Sequence, residues 1–95
     1  MSFKLLYHPD VVSKDIRRIN RNLKARVANA IRNRLGTHPE SYGKPLRGTL
    51  AGFWKLKVGD LRVVFRIVKD EVWILAIIDR RDVYADIVKR LSWKS

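Results

Sequence analysis

The stretch Phe53-Trp54-Lys55-Leu56-Lys57-Val58-Gly59-Asp60-Leu61-Arg62-Val63-Val64-Phe65-Arg66-Ile67 reads as two strands flanking Gly59-Asp60, a two-residue hairpin signal. Closing the hairpin there sets Val58 opposite Leu61, Lys57 opposite Arg62, Leu56 opposite Val63 and Lys55 opposite Val64. Side chains alternate between the faces of a sheet, so this register sorts the residues cleanly. Trp54, Leu56, Val58, Leu61, Val63 and Phe65 share one face, which the pattern assigns to the core. Lys55, Lys57, Arg62 and Arg66 share the other. Lys57 opposite Arg62 is a like-charge pair, which disfavours the sheet unless an anion sits between them. Neither strand segment carries an acidic residue to relieve it.

Toward the C-terminus, Lys69-Asp70-Glu71 reads as the next turn, and Val72 to Ile78 is apolar on both faces, as in a strand covered on both sides. Tyr84, Ile87, Val88 and Leu91 fall at i, i+3, i+4 and i+7, which predicts a short last helix with Asp82 near its start and Tyr84 in its packed stripe. Toward the N-terminus, Gly36 to Pro45 reads as a loop. Before it, Leu23, Val27, Ile31 and Leu35 recur at steps of four, predicting a helix that stops at Gly36 and carries Lys24, Arg26, Arg32 and Arg34 outside. A polar kink at Asn20 to Asn22 separates it from an earlier helix with inward stripe Val12, Ile16 and Ile19, capped by Asp10. Phe3, Leu5 and Tyr7 share one face of a first strand that Pro9 ends. The order β-α-α-β-β-β-α predicts an α+β fold for a single domain over residues 1–95: an N-terminal strand, a helical hairpin packed on a small antiparallel sheet, and a short C-terminal helix.

Composition narrows the function. The chain has 95 residues, and 46% of them are hydrophobic, more than disordered segments carry. Lys and Arg number 21 against 9 Asp and Glu, a formal charge of +12 that points to a polyanionic partner. The absence of Cys excludes a disulfide scaffold, a thiolate nucleophile and Cys-ligated zinc. Val72 to Ile78, the longest apolar run, is too short to cross a membrane, and Met1 to Asp10 does not read as a signal peptide. A small cytoplasmic domain that meets a polyanion is the expectation.

A basic sheet face is often only solvated, and edge hairpins carry Lys for solubility. Arg80 and Arg81, arriving at the end of the apolar strand, make the cluster large enough to hold phosphate: Arg through bidentate hydrogen bonds, Lys as a point charge. Such a cluster suits a single-stranded RNA backbone. Cleaving RNA through its own 2′-hydroxyl needs a base for that hydroxyl, charge stabilisation for the phosphorane and an acid for the leaving oxygen. No His lies in the hairpin or near Tyr84. A lysine crowded by other cations gives up its proton more readily, arginines stabilise the transition state, and Tyr84 is placed to stack on a base or move a proton. Arg47, Arg66, Arg81, Lys24 and Arg32 are expected to hold RNA by salt-sensitive contacts. His8 and His38 stand alone without metal-ligand spacing, and Gly43-Lys44-Pro45 lacks the rest of a phosphate loop, so neither metal nor cofactor is expected.

Lys44-Pro45-Leu46-Arg47-Gly48, the hairpin from Phe53 to Phe65, and Asp79-Arg80-Arg81-Asp82-Val83-Tyr84 together resemble the RelE toxins of the RelE/ParE superfamily. The resemblance spans nearly the whole chain and is most specific from Lys44 to Leu91. It implies the toxin of a type II toxin–antitoxin system, a ribosome-dependent endonuclease that cuts messenger RNA in the A site by metal-free attack of the 2′-hydroxyl. It implies catalytic roles for Lys55, Lys57, Arg62, Arg80 and Tyr84, with Arg81 the other candidate for the late arginine. Asp79 stands where many short relatives carry His. The implied partners are the ribosome, messenger RNA and an acidic RelB-like antitoxin, with operator DNA reached only through the antitoxin complex. Two rival readings come from other classes. One is a ParE-type inhibitor of DNA gyrase, the other a non-catalytic RNA-binding regulatory module.

Overall fold

A computed structural model of the chain describes residues 2–91. Five strands form one sheet in the order β1-β5-β4-β3-β2. They are β1 (Lys4–Tyr7), β2 (Lys44–Pro45), β3 (Trp54–Val58), β4 (Leu61–Val68) and β5 (Glu71–Asp79). The hairpin register is the expected one at every position: Val58 faces Leu61, Lys57 faces Arg62, Leu56 faces Val63 and Lys55 faces Val64. Gly59 turns with φ of 60°, a conformation that costs glycine nothing. The next turn is tighter than the sequence suggests. Glu71 already belongs to β5, so Lys69 and Asp70 make it alone, and Lys69 adopts φ of 58°. The first strand runs parallel to β5, so the sheet is mixed and not wholly antiparallel.

The helical arm that follows β1 begins with a wide turn, Val11–Asp15, and tightens into Ile16–Arg18. Asp10 does not cap it. The Asp10 N–H instead donates to His8 Nδ1 at 3.0 Å, and the His8 carbonyl accepts from Val11, so the buried His8 opens the arm. Its inward residues are Val11, Asp15 and Ile19, and Val12 is exposed. Asn20 then caps α1 (Arg21–Ala30), its side chain accepting from the Leu23 N–H at 2.9 Å. A second wide turn, Ile31–Leu35, carries the helix to Gly36. Gly36 sits at φ of −72°, so it is there for closeness: a Cβ would stand 2.4 Å from the Arg32 carbonyl oxygen. The expected loop holds one helical turn, α2 (Pro39–Tyr42), before β2 pairs with β3.

Each face of the sheet carries its own core. On one, Val11, Ile19, Val27, Ile31 and Leu35 pack on Leu56, Val58, Val63, Phe65, Val72, Ile74 and Ile77. On the other, Leu46, Leu50, Val83 and Ile87 cover Val64, Ala76 and Ile78. Val83 and Ile87 belong to α3 (Val83–Leu91), and they, not Tyr84 and Val88, form its buried stripe. The Leu91 side chain lies outside the described residues.

β5 serves both cores, as its neighbour β4 does, but its alternation slips partway. Val64 faces Ala76 but Phe65 faces Ile74, so Leu75 is an extra residue in the ladder. Beyond Ile74, the last partner of β1, the edge of β5 is met by side chains. The Ile77 N–H donates to Asp15 Oδ2 at 2.9 Å, and Arg90 Nη1 donates to the Leu75 carbonyl at 2.8 Å. Arg90 also binds Asp15 through both ends of its guanidinium, at 2.6 and 2.7 Å. This buried pair joins the helical arm, the irregular edge of β5 and α3. The same partner holds the Arg90 guanidinium above its ordinary pKa, chiefly through the hydrogen bond that Arg90 donates to Asp15.

Candidate active site

The second core stops short of the hairpin turn, and a cleft opens where it ends. Because β3 and β4 alternate, Lys55, Lys57, Arg62, Val64 and Arg66 share one face. Val64 is fully buried by the second core, whereas Arg62 lies nearer the turn, past the cover. Leu46, Lys55, Arg62, Arg80, Arg81, Val83 and Tyr84 line a cleft of about 340 Å³. Leu46 and Val83 form its apolar wall and are themselves anchored in the second core, which fixes the wall against the basic floor.

Each cation is held differently. Arg62 Nη1 donates to the Gly59 carbonyl at 3.0 Å and to the Leu61 carbonyl at 2.9 Å, so the turn orients its guanidinium. The Arg80 N–H donates to the Asp60 carbonyl at 3.0 Å, tying the end of β5 to the same turn. Arg81 is engaged by Asp79: Nε lies 2.9 Å from Oδ1, Nη2 lies 3.4 Å from Oδ2, and the Arg81 backbone N–H donates to Oδ1 at 2.9 Å. The hydrogen bond from the Arg81 side chain holds the Asp79 carboxyl below the usual carboxylate range and raises the guanidinium in turn. Asp79 therefore orients Arg81, not Arg80.

Tyr84 is 51% exposed, one position past the buried Val83, and it lines the cleft instead of packing in the core. The packing role its helical spacing implies does not hold. Among the expected site residues, the cleft gathers Lys55, Arg62, Arg80, Arg81 and Tyr84. Lys57 is exposed beside it, opposite Arg62. Arg66 lies along the same sheet face with its guanidinium 5.9 Å from the Phe53 ring centre, and Arg47 is exposed next to Leu46. Lys24 and Arg32 are elsewhere. Lys24 borders an apolar groove with Val12, Ile16 and Ile19 on the first-core side, and Arg32 Nη2 donates to Asn29 Oδ1 at 2.8 Å. The cleft wall was hidden in the sequence, where Leu46 and Val83 look like ordinary core residues. Among the described residues no group of three His, Cys, Asp or Glu is placed to hold a metal ion, and no helix is long and apolar enough to cross a membrane.

Residues 6–84 match the family described as the ParE toxin of type II toxin-antitoxin system, parDE. No curated protein matches the sequence. Solved structures do. The RelBE2 toxin–antitoxin complex from Mycobacterium tuberculosis has a chain 26% identical, with a TM-score of 0.77 over 84% of this chain and 100% of that one. A doubly substituted E. coli RelE toxin in the free state, 18% identical, superposes with a TM-score of 0.73 over 95% of this chain and 98% of that one. A YoeB/ParE toxin from Agrobacterium tumefaciens, 17% identical, gives 0.62 over 82% and 99%.

Proposed function

Because the chain belongs to the ParE toxin family of type II toxin–antitoxin systems, within the RelE/ParE superfamily, we propose that it is a ribosome-dependent endoribonuclease. The observation that carries the reading is Tyr84, an exposed aromatic ring beside a cleft whose floor is Lys55 and Arg62. A core-packing tyrosine has no reason to stand there; a ring that stacks on a splayed nucleobase does.

The chemistry follows from the groups present. A 2′-oxygen attacks the adjacent phosphorus, its proton passes to a lysine amine at Lys55 or Lys57, and the 5′-oxygen leaves with a proton supplied by Tyr84 or the second lysine. The products are a 2′,3′-cyclic phosphate and a 5′-hydroxyl. Arg62 and Arg80 bind the non-bridging oxygens, where charge accumulates in the transition state. Arg62 arrives oriented by the turn, which removes part of the cost of aligning it. The cleft offers no His for proton transfer, so alignment of the RNA matters more than acid–base strength. A codon already splayed in the ribosomal A site supplies that alignment. Arg47, Arg66 and Arg81 continue the positive surface around the cleft and hold the backbone, while Lys24 and Arg32 reach ribosomal RNA from the other face. A cognate antitoxin, as in the M. tuberculosis complex, holds the toxin inactive in the cytoplasm.

The test is cleavage of a defined messenger by the antitoxin-free protein on programmed ribosomes, with naked messenger alongside. Cuts at the A-site codon that need ribosomes, and that fall by about 10²-fold in Arg62→Ala and Tyr84→Ala, are the expected result. The ParE name of the matched family favours one alternative, inhibition of DNA gyrase. Loss of supercoiling activity with no RNA cut would establish that reading instead.

A further inference from the structure

Two adjacent arginines, Arg80 and Arg81, line the cleft, and one carboxylate, Asp79, hydrogen-bonds a side chain of the pair. Asp79 takes Arg81 on three donors, including its backbone N–H. The Arg80 side chain makes no hydrogen bond or ion pair with a described residue, while its backbone is fixed to Asp60. We propose that Asp79 is a positioning residue that selects between the twin arginines: by occupying Arg81 it leaves Arg80 as the guanidinium presented to the substrate phosphate. The inference rests on the ribonuclease reading for its catalytic consequence, but the selection itself is a matter of geometry.

The pair is ill suited to any structural duty. Its partners are two residues apart, so it closes almost no chain, and the Arg81 side chain is 80% exposed. Exposed pairs of this kind add little to stability. What it changes is the charge offered to RNA. With Asp79 in place one arginine of the two is already matched to an anion, and the cleft presents the Arg80 guanidinium beside the turn-bonded Arg62. Without it, two guanidiniums compete for the same phosphate. Consecutive arginines are alike in charge, so their partners distinguish them: the Asp60 carbonyl holds the Arg80 backbone, and Asp79 takes the Arg81 side chain.

The prediction is a rescue. Arg80→Ala lowers A-site cleavage by about 10²-fold, and Arg81→Ala costs at least about tenfold less than that. Adding Asp79→Asn to Arg80→Ala frees Arg81 and recovers cleavage by about tenfold, in kcat at constant KM. A structural role for Asp79 makes the double variant worse, not better. The inference is overturned if the double variant cleaves no faster than Arg80→Ala, or if Arg81→Ala is the more damaging single change. Binding to an uncleavable 2′-O-methyl RNA oligonucleotide is read in parallel on the same proteins. If the parent cleaves nothing, the ribonuclease reading falls, and the binding series alone decides the selection: Arg80→Ala weakens affinity and the double variant restores it. No restoration there overturns the inference as well.

Discussion

Two of the aspartate–arginine pairs among the described residues share a chemistry and have opposite consequences. Asp15 and Arg90 are 75 positions apart, with side chains 0% and 11% exposed, and between them they meet two backbone groups on the edge of β5. Asp79 and Arg81 are two positions apart, at the surface, and meet little beyond each other. Buried and remote, an ion pair fixes where three elements lie. Exposed and local, it fixes only where one side chain points. The difference is set by dielectric and chain separation, since the hydrogen bonds themselves are alike.

Removing one member of the buried pair is the harshest test. Asp15→Ala leaves buried Arg90 with only the longer contact to Asp10, 3.9 Å from its Nε, and Ile77 without its acceptor, and it costs about 3–5 kcal/mol in urea unfolding. Replacing both, as Asp15→Leu with Arg90→Met, is often harmless for buried pairs. Here it still costs about 1–3 kcal/mol for each backbone group left unmet at Leu75 and Ile77, and the same unfolding experiment separates the two cases. A recovery to parental stability rules out the bulge as the reason for the pair.

A smaller effect distinguishes the two regions by pH. His8 opens the helical arm beside Asp15 and Arg90, and burial, chiefly, holds its pKa below the ordinary value, with Arg90 lowering it further and Asp10 and Asp15 opposing. The unfolded chain therefore binds the proton more readily. Stability is full above about pH 6.5 and declines as pH falls from there toward the depressed folded value. His8→Asn, which keeps a capping acceptor, flattens the slope in thermal melts between pH 7 and 5. At the other pair, Asp79→Asn leaves the melting temperature of the parent unchanged within error while altering the RNA readouts.

The hairpin was legible because a two-residue turn and strict alternation leave one register. Lys55, Arg62, Arg80 and Arg81 could be gathered from it and from the end of β5, whereas Tyr84 came to the site only through the family resemblance. The helix faces were not legible. On α3 both Val83 with Ile87 and Tyr84 with Val88 are apolar pairs one turn apart, and only docking on Val64, Ala76 and Ile78 chooses the first. On the helical arm the pattern favours Val12 with Ile16, because the alternative stripe puts Asp15 in the core. That aspartate is tolerable only through Arg90, which local periodicity does not see. The slip at Leu75 left no mark either, since a run apolar at every position has no alternation to break.

The clamp between Asp15 and Arg90 also sets the timing of manufacture. Its halves lie 75 residues apart, so a chain emerging during synthesis exposes Asp15 early and meets the cation only when the last helix is out. Until then the edge of β5 is open. An unfinished copy therefore lacks its brace, and chains arrested before Arg90 should be cut by protease at the helical arm where the released protein resists.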